Sequence, residues 1–110
     1  MGISTHVLDT TRGRPASGVA VTLERESNGA WTTVGQGVTD DDGRLKGLVT
    51  GDVPAGTWRI TFAVEPYFAR LGVEGFYPAV SIDFRVRAPQ EHYHVPLLLN
   101  PFGYSTYRGS

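Results

Sequence analysis

Apolar and polar side chains alternate with a period of two through much of the chain. In "VAVTLE", Val19, Val21 and Leu23 share one face and Ala20, Thr22 and Glu24 the other. "TWRITFAV" sets Trp58, Ile60, Phe62 and Val64 against Thr57, Arg59 and Thr61. "AVSIDFRVRA" sets Val80, Ile82, Phe84 and Val86 against Ser81, Asp83, Arg85 and Arg87. Each run predicts a half-buried strand of an antiparallel sheet. Turn residues punctuate the runs. Asn28-Gly29 suits a tight hairpin, because both positions tolerate positive φ. "TDDDG" before Arg44 and "DVPAGT" before Trp58 are further turns. One stretch departs from the pattern. In "VEPYFARLG", Pro66 is tolerated in a first helical turn, Phe68 and Leu71 lie three apart, and Gly72 can close a short helix. About seven or eight short strands and one short α-helix predict an all-β fold, a two-sheet β-sandwich. The chain has the length of one domain, spanning residues 1–110.

The outward faces carry the chemistry. In "EHYHVPLLLN", Tyr93, Val95, Leu97 and Leu99 point one way, into the core, and His92, His94, Pro96 and Leu98 the other. In "ISTHVLD", Ser4, His6 and Leu8 share a face, and in "FGYSTY" Gly103, Ser105 and Tyr107 do. If these three strands are neighbours, one outer surface collects His6, His94, Leu8, Leu98 and Tyr107. Histidine beside leucine is unusual for a face in open water and suggests a covering surface. A single sheet face is too flat for a pocket. Two such faces pressed together in a symmetric oligomer would make one.

Composition narrows the function classes. The formal net charge of −1 gives no electrostatic case for nucleic acid or an anionic membrane. No apolar run is long enough for a transmembrane helix. The chain has no cysteine, which closes disulfide and thioester chemistry and suits a reducing compartment. "MGISTHVLDT" lacks a basic segment followed by an apolar one, so the expected location is cytoplasmic.

Three motifs together carry a family resemblance: "ISTHVLDTTRGRPASGVAV", "DDGRLKGL" and "HYHVPLLLNPFGYSTYRGS". The chain resembles the transthyretin-related 5-hydroxyisourate hydrolases of purine catabolism over essentially its whole length. The terminal Tyr-Arg-Gly-Ser is the most specific part, since it separates the hydrolases from hormone-carrying transthyretins. The resemblance implies a transthyretin-like sandwich and a homotetramer, a dimer of dimers with active sites at the dimer–dimer interface. It implies no cofactor and no metal. Carried over by motif, the catalytic residues fall on His6, Arg44, His94 and Ser110. The remaining tail residues Tyr107, Arg108 and Gly109, with His92, are expected to bind substrate.

The implied reaction is hydrolytic ring opening of 5-hydroxyisourate to 2-oxo-4-hydroxy-4-carboxy-5-ureidoimidazoline, which belongs to urate degradation. A neutral imidazole takes a proton from water near pH 7. A nearby guanidinium favours the neutral imidazole and polarises a carbonyl. His6 and His94 are therefore both candidates for the base, with Arg44 as stabiliser. Ser110 supplies a hydroxyl and, as the last residue, a carboxylate. Gly109 permits a sharp turn or a close approach. Arg108 can fork onto a carbonyl or anchor that carboxylate, and Tyr107 offers a ring and a phenol. Two rival readings follow from the same residues. One is zinc on His6, His92 and His94, although no Asp, Glu or Cys is placed to complete a tetrahedral set. The other is a carrier of a small aromatic ligand, against which the histidine pair and the tail argue. "DDDG" lacks the alternating acids and closing glutamate of a calcium loop and is expected to be a solvated turn.

Overall fold

A computed structural model describes residues 2–49, 52–89 and 91–110. The strands are β1 (Ile3–Asp9), β2 (Arg14–Pro15), β3 (Ala20–Ser27), β4 (Ala30–Val38), β5 (Arg44–Leu45), β6 (Gly56–Ala63), β7 (Val80–Val86), β8 (Tyr93–Asn100) and β9 (Gly103–Thr106). One helix, α1 (Val64–Arg70), follows β6 directly. One sheet runs β2-β1-β8-β9, with β5 also paired to β1, and the other runs β4-β3-β6-β7. The count exceeds the expected number because β2 and β5, two residues each, are too short to show an alternation.

The core lies between the sheets and follows the alternation. Val19, Val21 and Leu23, then Trp58, Ile60 and Phe62, then Tyr93, Val95, Leu97 and Leu99 are all buried. Each large apolar side chain so placed contributes about 1.5–3 kcal/mol relative to exposure. The indole N–H of Trp58 donates to the Pro54 carbonyl at 2.9 Å, so its burial leaves no orphan donor. The β7 face departs from expectation. Val80 and Val86 are buried, but Ile82 and Phe84 are only partly covered, because β7 is an edge strand and the opposite sheet leaves a cavity beside it.

Local chemistry explains the connections. Ser27 pairs with Ala30, leaving Asn28 (φ 53°) and Gly29 (φ 79°) as a two-residue turn with both φ values positive. That geometry matches the twist of the flanking strands. Pro66 sits at the third helical position rather than the first, still within the turn whose N–H groups have no helical partner. The helix ends at Gly72 (φ 70°), with Gly72 N–H donating to Ala69 and Val73 N–H to Phe68, a Schellman closure. The face it buries is Val64, Tyr67 and Phe68, whereas Leu71 is exposed. Tyr67 reaches the first sheet and donates to the buried Asp9 carboxylate at 2.7 Å, while Thr11 and Arg12 N–H groups donate to the other oxygen. Burial, then the Asp9 carboxylate, hold the Tyr67 phenol above its ordinary pKa.

The runs of β3, β6 and β7 pair antiparallel as expected, whereas β1 pairs with β8 in parallel. A parallel pair needs a long crossover, and here the second sheet supplies it. Its register sets Ser4 beside His94, His6 beside Pro96 and Leu8 beside Leu98. On the far side of β8, Ser105 of β9 lies opposite Leu98. The three strands expected to share an outer face are therefore neighbours in one sheet. Among the described residues, no helix is long and apolar enough to cross a membrane.

Candidate active site

The outer face of β1, β5 and β8 holds a cleft of about 170 Å³, lined by Ser4, Arg44, Lys46, His92, His94 and Ser110. Its wall is built by the acidic turn. Asp40 accepts hydrogen bonds from the backbone N–H groups of Asp42 and Arg44 through one carboxylate oxygen, both at 2.9 Å. The Arg44 N–H bond is the main reason its carboxyl is held below the ordinary aspartate pKa. "DDDG" is thus a turn that fixes Arg44. Gly43 closes it at φ 74°, with its α-carbon so near the Val7 carbonyl that a β-carbon would lie 2.4 Å away. Behind the wall, Gly35 and Gly37 of β4 let segment 45–48 lie directly on the strand. A β-carbon at Gly35 would meet the Leu48 carbonyl, and one at Gly37 would come within 2.8 Å of Leu45.

His94 is half-buried at the centre of the cleft. Its Nδ1 lies 2.8 Å from Ser4 Oγ, and His92 Nε2 lies 2.8 Å from the same oxygen. Burial first, then the charges of His6, His92 and Arg44, lower the pKa of His94 below that of free imidazole. A hydrogen bond to the Ser4 backbone pulls weakly the other way. This ring therefore stays neutral and basic below the pH at which an exposed histidine would protonate.

The other predicted site residues divide. Arg44, His92 and Ser110 share the cleft with His94. His6 is paired with Arg44 across β1 and β5, but its Nε2 donates to the Asp42 carbonyl at 2.9 Å. His6 thus braces the acidic turn with one ring nitrogen and is absent from the cleft lining. Gly109 N–H donates to the His94 carbonyl at 2.9 Å. A β-carbon on Gly109 would lie 2.5 Å from His94 Cδ2, so the close approach this glycine permits is to the histidine ring. Its φ is not in the left-handed region, so the requirement is steric and not conformational. Arg108 donates to Glu91 at 2.7 Å and sits 4.9 Å from the Tyr93 ring centroid. Tyr107 and Arg108 line an adjoining, largely apolar cavity of about 300 Å³ with Ile82, Phe84, Tyr93 and His94 itself. His94 thus borders both spaces, and the Arg108–Glu91 pair holds the tail beside it.

Sequence reasoning missed Lys46, Glu91 and the role of Ser4. Alternation through "RLK" places Lys46 on the face of Arg44 and would have found it. The Glu91–Arg108 pair joins residues 17 apart and leaves no local signal. The three imidazoles do not converge on a common point for zinc. His92 and His94 meet at Ser4 Oγ and His6 turns to Asp42, and no group of three His, Asp or Glu residues suited to a metal occurs among the described residues.

Known proteins are similar to this chain in sequence and in backbone along nearly its whole length. The 5-hydroxyisourate hydrolase of Salmonella typhimurium is 44% identical over 109 residues, covering 98% of this chain and 80% of the relative. The structure of the Klebsiella pneumoniae 5-hydroxyisourate hydrolase superposes with a TM-score of 0.87 at 40% identity, covering 98% of this chain and 92% of that one. Sea bream transthyretin in complex with thyroxine superposes with a TM-score of 0.91 at 32% identity, covering 97% and 93%. The backbone is thus common to a 5-hydroxyisourate hydrolase and a thyroxine-bound transthyretin, so the fold alone does not tell them apart. Residues 3–109 match the HIUase/Transthyretin family, and the chain belongs to that family.

Proposed function

We propose that the protein hydrolyses 5-hydroxyisourate, with His94 as the general base. The observation that carries this reading is His94 itself: a half-buried imidazole of lowered pKa, in a cleft it shares with the cations Arg44 and Lys46 and with Ser4, His92 and Ser110. His94 Nε2 takes a proton from water as the water oxygen attacks the C6 carbonyl of the six-membered ring. Arg44, with Lys46 beside it, stabilises the oxyanion that develops on that carbonyl. The C6–N1 bond then breaks and His94 returns its proton to N1. The products are the new carboxyl and the ureido group of 2-oxo-4-hydroxy-4-carboxy-5-ureidoimidazoline. No covalent enzyme intermediate enters, and no cofactor is needed for this sequence of steps. Ser110 hydrogen-bonds the ring from the cleft edge, and His6 acts through the turn that holds Arg44.

The cleft on one chain is smaller than the roughly 300–1,000 Å³ typical of ligand sites. This supports completion by a second subunit, in the homotetrameric, dimer-of-dimers assembly that the family resemblance implies. The same reading places the enzyme in the cytoplasm, to be checked by cell fractionation. Freshly generated 5-hydroxyisourate, followed by ultraviolet absorbance, decays faster with the protein than without it. A decay equal to the spontaneous rate removes the hydrolase reading and leaves the carrier. Sedimentation at working concentration reads the assembly, and a monomer would overturn the shared-site part.

A further inference from the structure

We infer that Ser4 is a positioning residue for His94: its single hydroxyl proton, shared between two imidazoles, fixes which His94 nitrogen is free to accept. The inference rests on the reading of His94 as the base. Ser4 is buried, 7% exposed, on the β1 face that adjoins His94. Its Oγ lies 2.8 Å from both His94 Nδ1 and His92 Nε2. A hydroxyl donates once and accepts at its lone pairs. Both ring nitrogens therefore cannot be bare, because one proton cannot serve two acceptors. For neutral rings three arrangements remain. His94 Nδ1–H donates to Oγ while Oγ–H donates to His92 Nε2; the two roles are exchanged; or both rings donate to Oγ.

The surroundings select among them. The exchanged arrangement puts the His94 proton on Nε2, toward a cleft lined by Arg44 and Lys46. Both of those groups only donate and repel an N–H, and although Ser110 in the same cleft offers acceptor oxygens, a base that takes a proton from water needs Nε2 bare. A lone pair there faces donors instead. His92 is exposed, and its Nδ1–H is satisfied by solvent. If both rings donated, neither hydrogen-bond partner of Ser4 Oγ could accept its proton, so the chain of donation runs His94 Nδ1–H to Ser4 Oγ–H to His92 Nε2 and leaves Nε2 of His94 bare before water attacks. On this account His92 sets the direction of the Ser4 hydroxyl, and a motif with two histidines flanking one residue has a reason beyond either ring alone.

The test reads tautomers in the resting protein. Long-range ¹H–¹⁵N spectra of uniformly labelled protein near pH 8 are expected to show His94 with Nδ1 protonated and Nε2 bare. In Ser4→Ala that preference is lost and both tautomers appear. In His92→Ala the hydroxyl is free to turn to His94 Nδ1, and the Nε2–H form grows. Turnover by Ser4→Ala falls about 10- to 100-fold in kcat with KM within about threefold, a part of what a general base supplies. Ser4→Thr, which keeps the hydroxyl, recovers most of it. A wild-type His94 protonated on Nε2, or a tautomer indifferent to both Ser4→Ala and His92→Ala, overturns the inference. If Ser4→Ala does not fold, the wild-type and His92→Ala spectra still decide it. These spectra need no substrate, so failure of the hydrolase reading would show separately, as an absent acceleration in the ultraviolet assay.

Discussion

The two outer faces of the sandwich are built alike and used differently. On the β3-β6-β7 face, charges cancel across strands. Arg59 pairs with Asp83 in register and donates through two nitrogens, at 2.7 and 3.2 Å, while its guanidinium lies 3.9 Å from the Trp31 ring centroid. Thr61 and Ser81 hydroxyls meet at 3.1 Å beside them. On the β1-β5-β8 face, Arg44 and Lys46 line a cleft with histidines, and among the described residues neither has a carboxylate within ion-pair distance. A solvated face satisfies itself with cross-strand partners. The other face keeps its donors and its base pointed at empty space, and such unspent capacity is what a ligand can use.

Breaking each face tests that contrast most severely. His94→Ala is expected to cut hydrolysis about 100- to 10,000-fold, the range of a lost general base. Arg59→Ala on the opposite face should leave turnover within about twofold and lower the urea midpoint only slightly, as loss of an exposed, screened ion pair does. Steady-state rates and denaturation curves of the two variants, measured together, check both halves. If Arg59→Ala loses activity as His94→Ala does, the faces are not functionally distinct.

Gly109→Ala sharpens the comparison, because it adds one methyl group and touches no charge. That methyl would lie 2.5 Å from His94 Cδ2, so the ring or the tail has to move. We expect kcat to fall about tenfold or more, since misplacement of a catalytic group by about 1 Å costs up to about 100-fold. The tail is exposed at Arg108 and Ser110, so unfolding free energy should change by less than about 1 kcal/mol. Wild-type kcat in Gly109→Ala would mean that the tail does not set the position of His94.

Much of this was legible in the residues. Two-fold alternation located the core side of β3, β6 and β8, and the Asn28-Gly29 hairpin and Gly72 helix stop follow from φ preferences that only a few residues meet. The outward clustering of Ser4, His94 and Leu98 followed from the same alternation once β1 and β8 proved adjacent. Other features depend on distance across the fold. Parallel pairing of β1 with β8 joins the two ends of the chain and has no local sign. The aim of His6 depends on the Asp42 carbonyl, 36 residues away. Tyr107 shares the parity of Ser105, yet it lies past the end of β9, where strand alternation no longer fixes its side. Ile82 and Phe84 read as core by period, but an edge strand covers them only partly.

The smallest effect expected is on the titration of His94, and it tests why the face stays basic. Its folded pKa lies below the unfolded value, so the stability it contributes is present above about pH 6.5 and is lost as pH falls through the folded pKa. The groups acting on it are its own burial, then His6, His92 and Arg44, with Lys46 and Ser110 also in the cleft and Ser4 bonded to the ring. Arg44→Gln removes one cation and leaves burial, the largest cause, in place. The His94 ring protons, followed by NMR across pH 4–8, should therefore show a midpoint that rises but remains below that of free imidazole. A midpoint that does not move would mean that Arg44 serves the substrate alone, and one that rises fully to the free value would mean that charge, not burial, keeps His94 neutral.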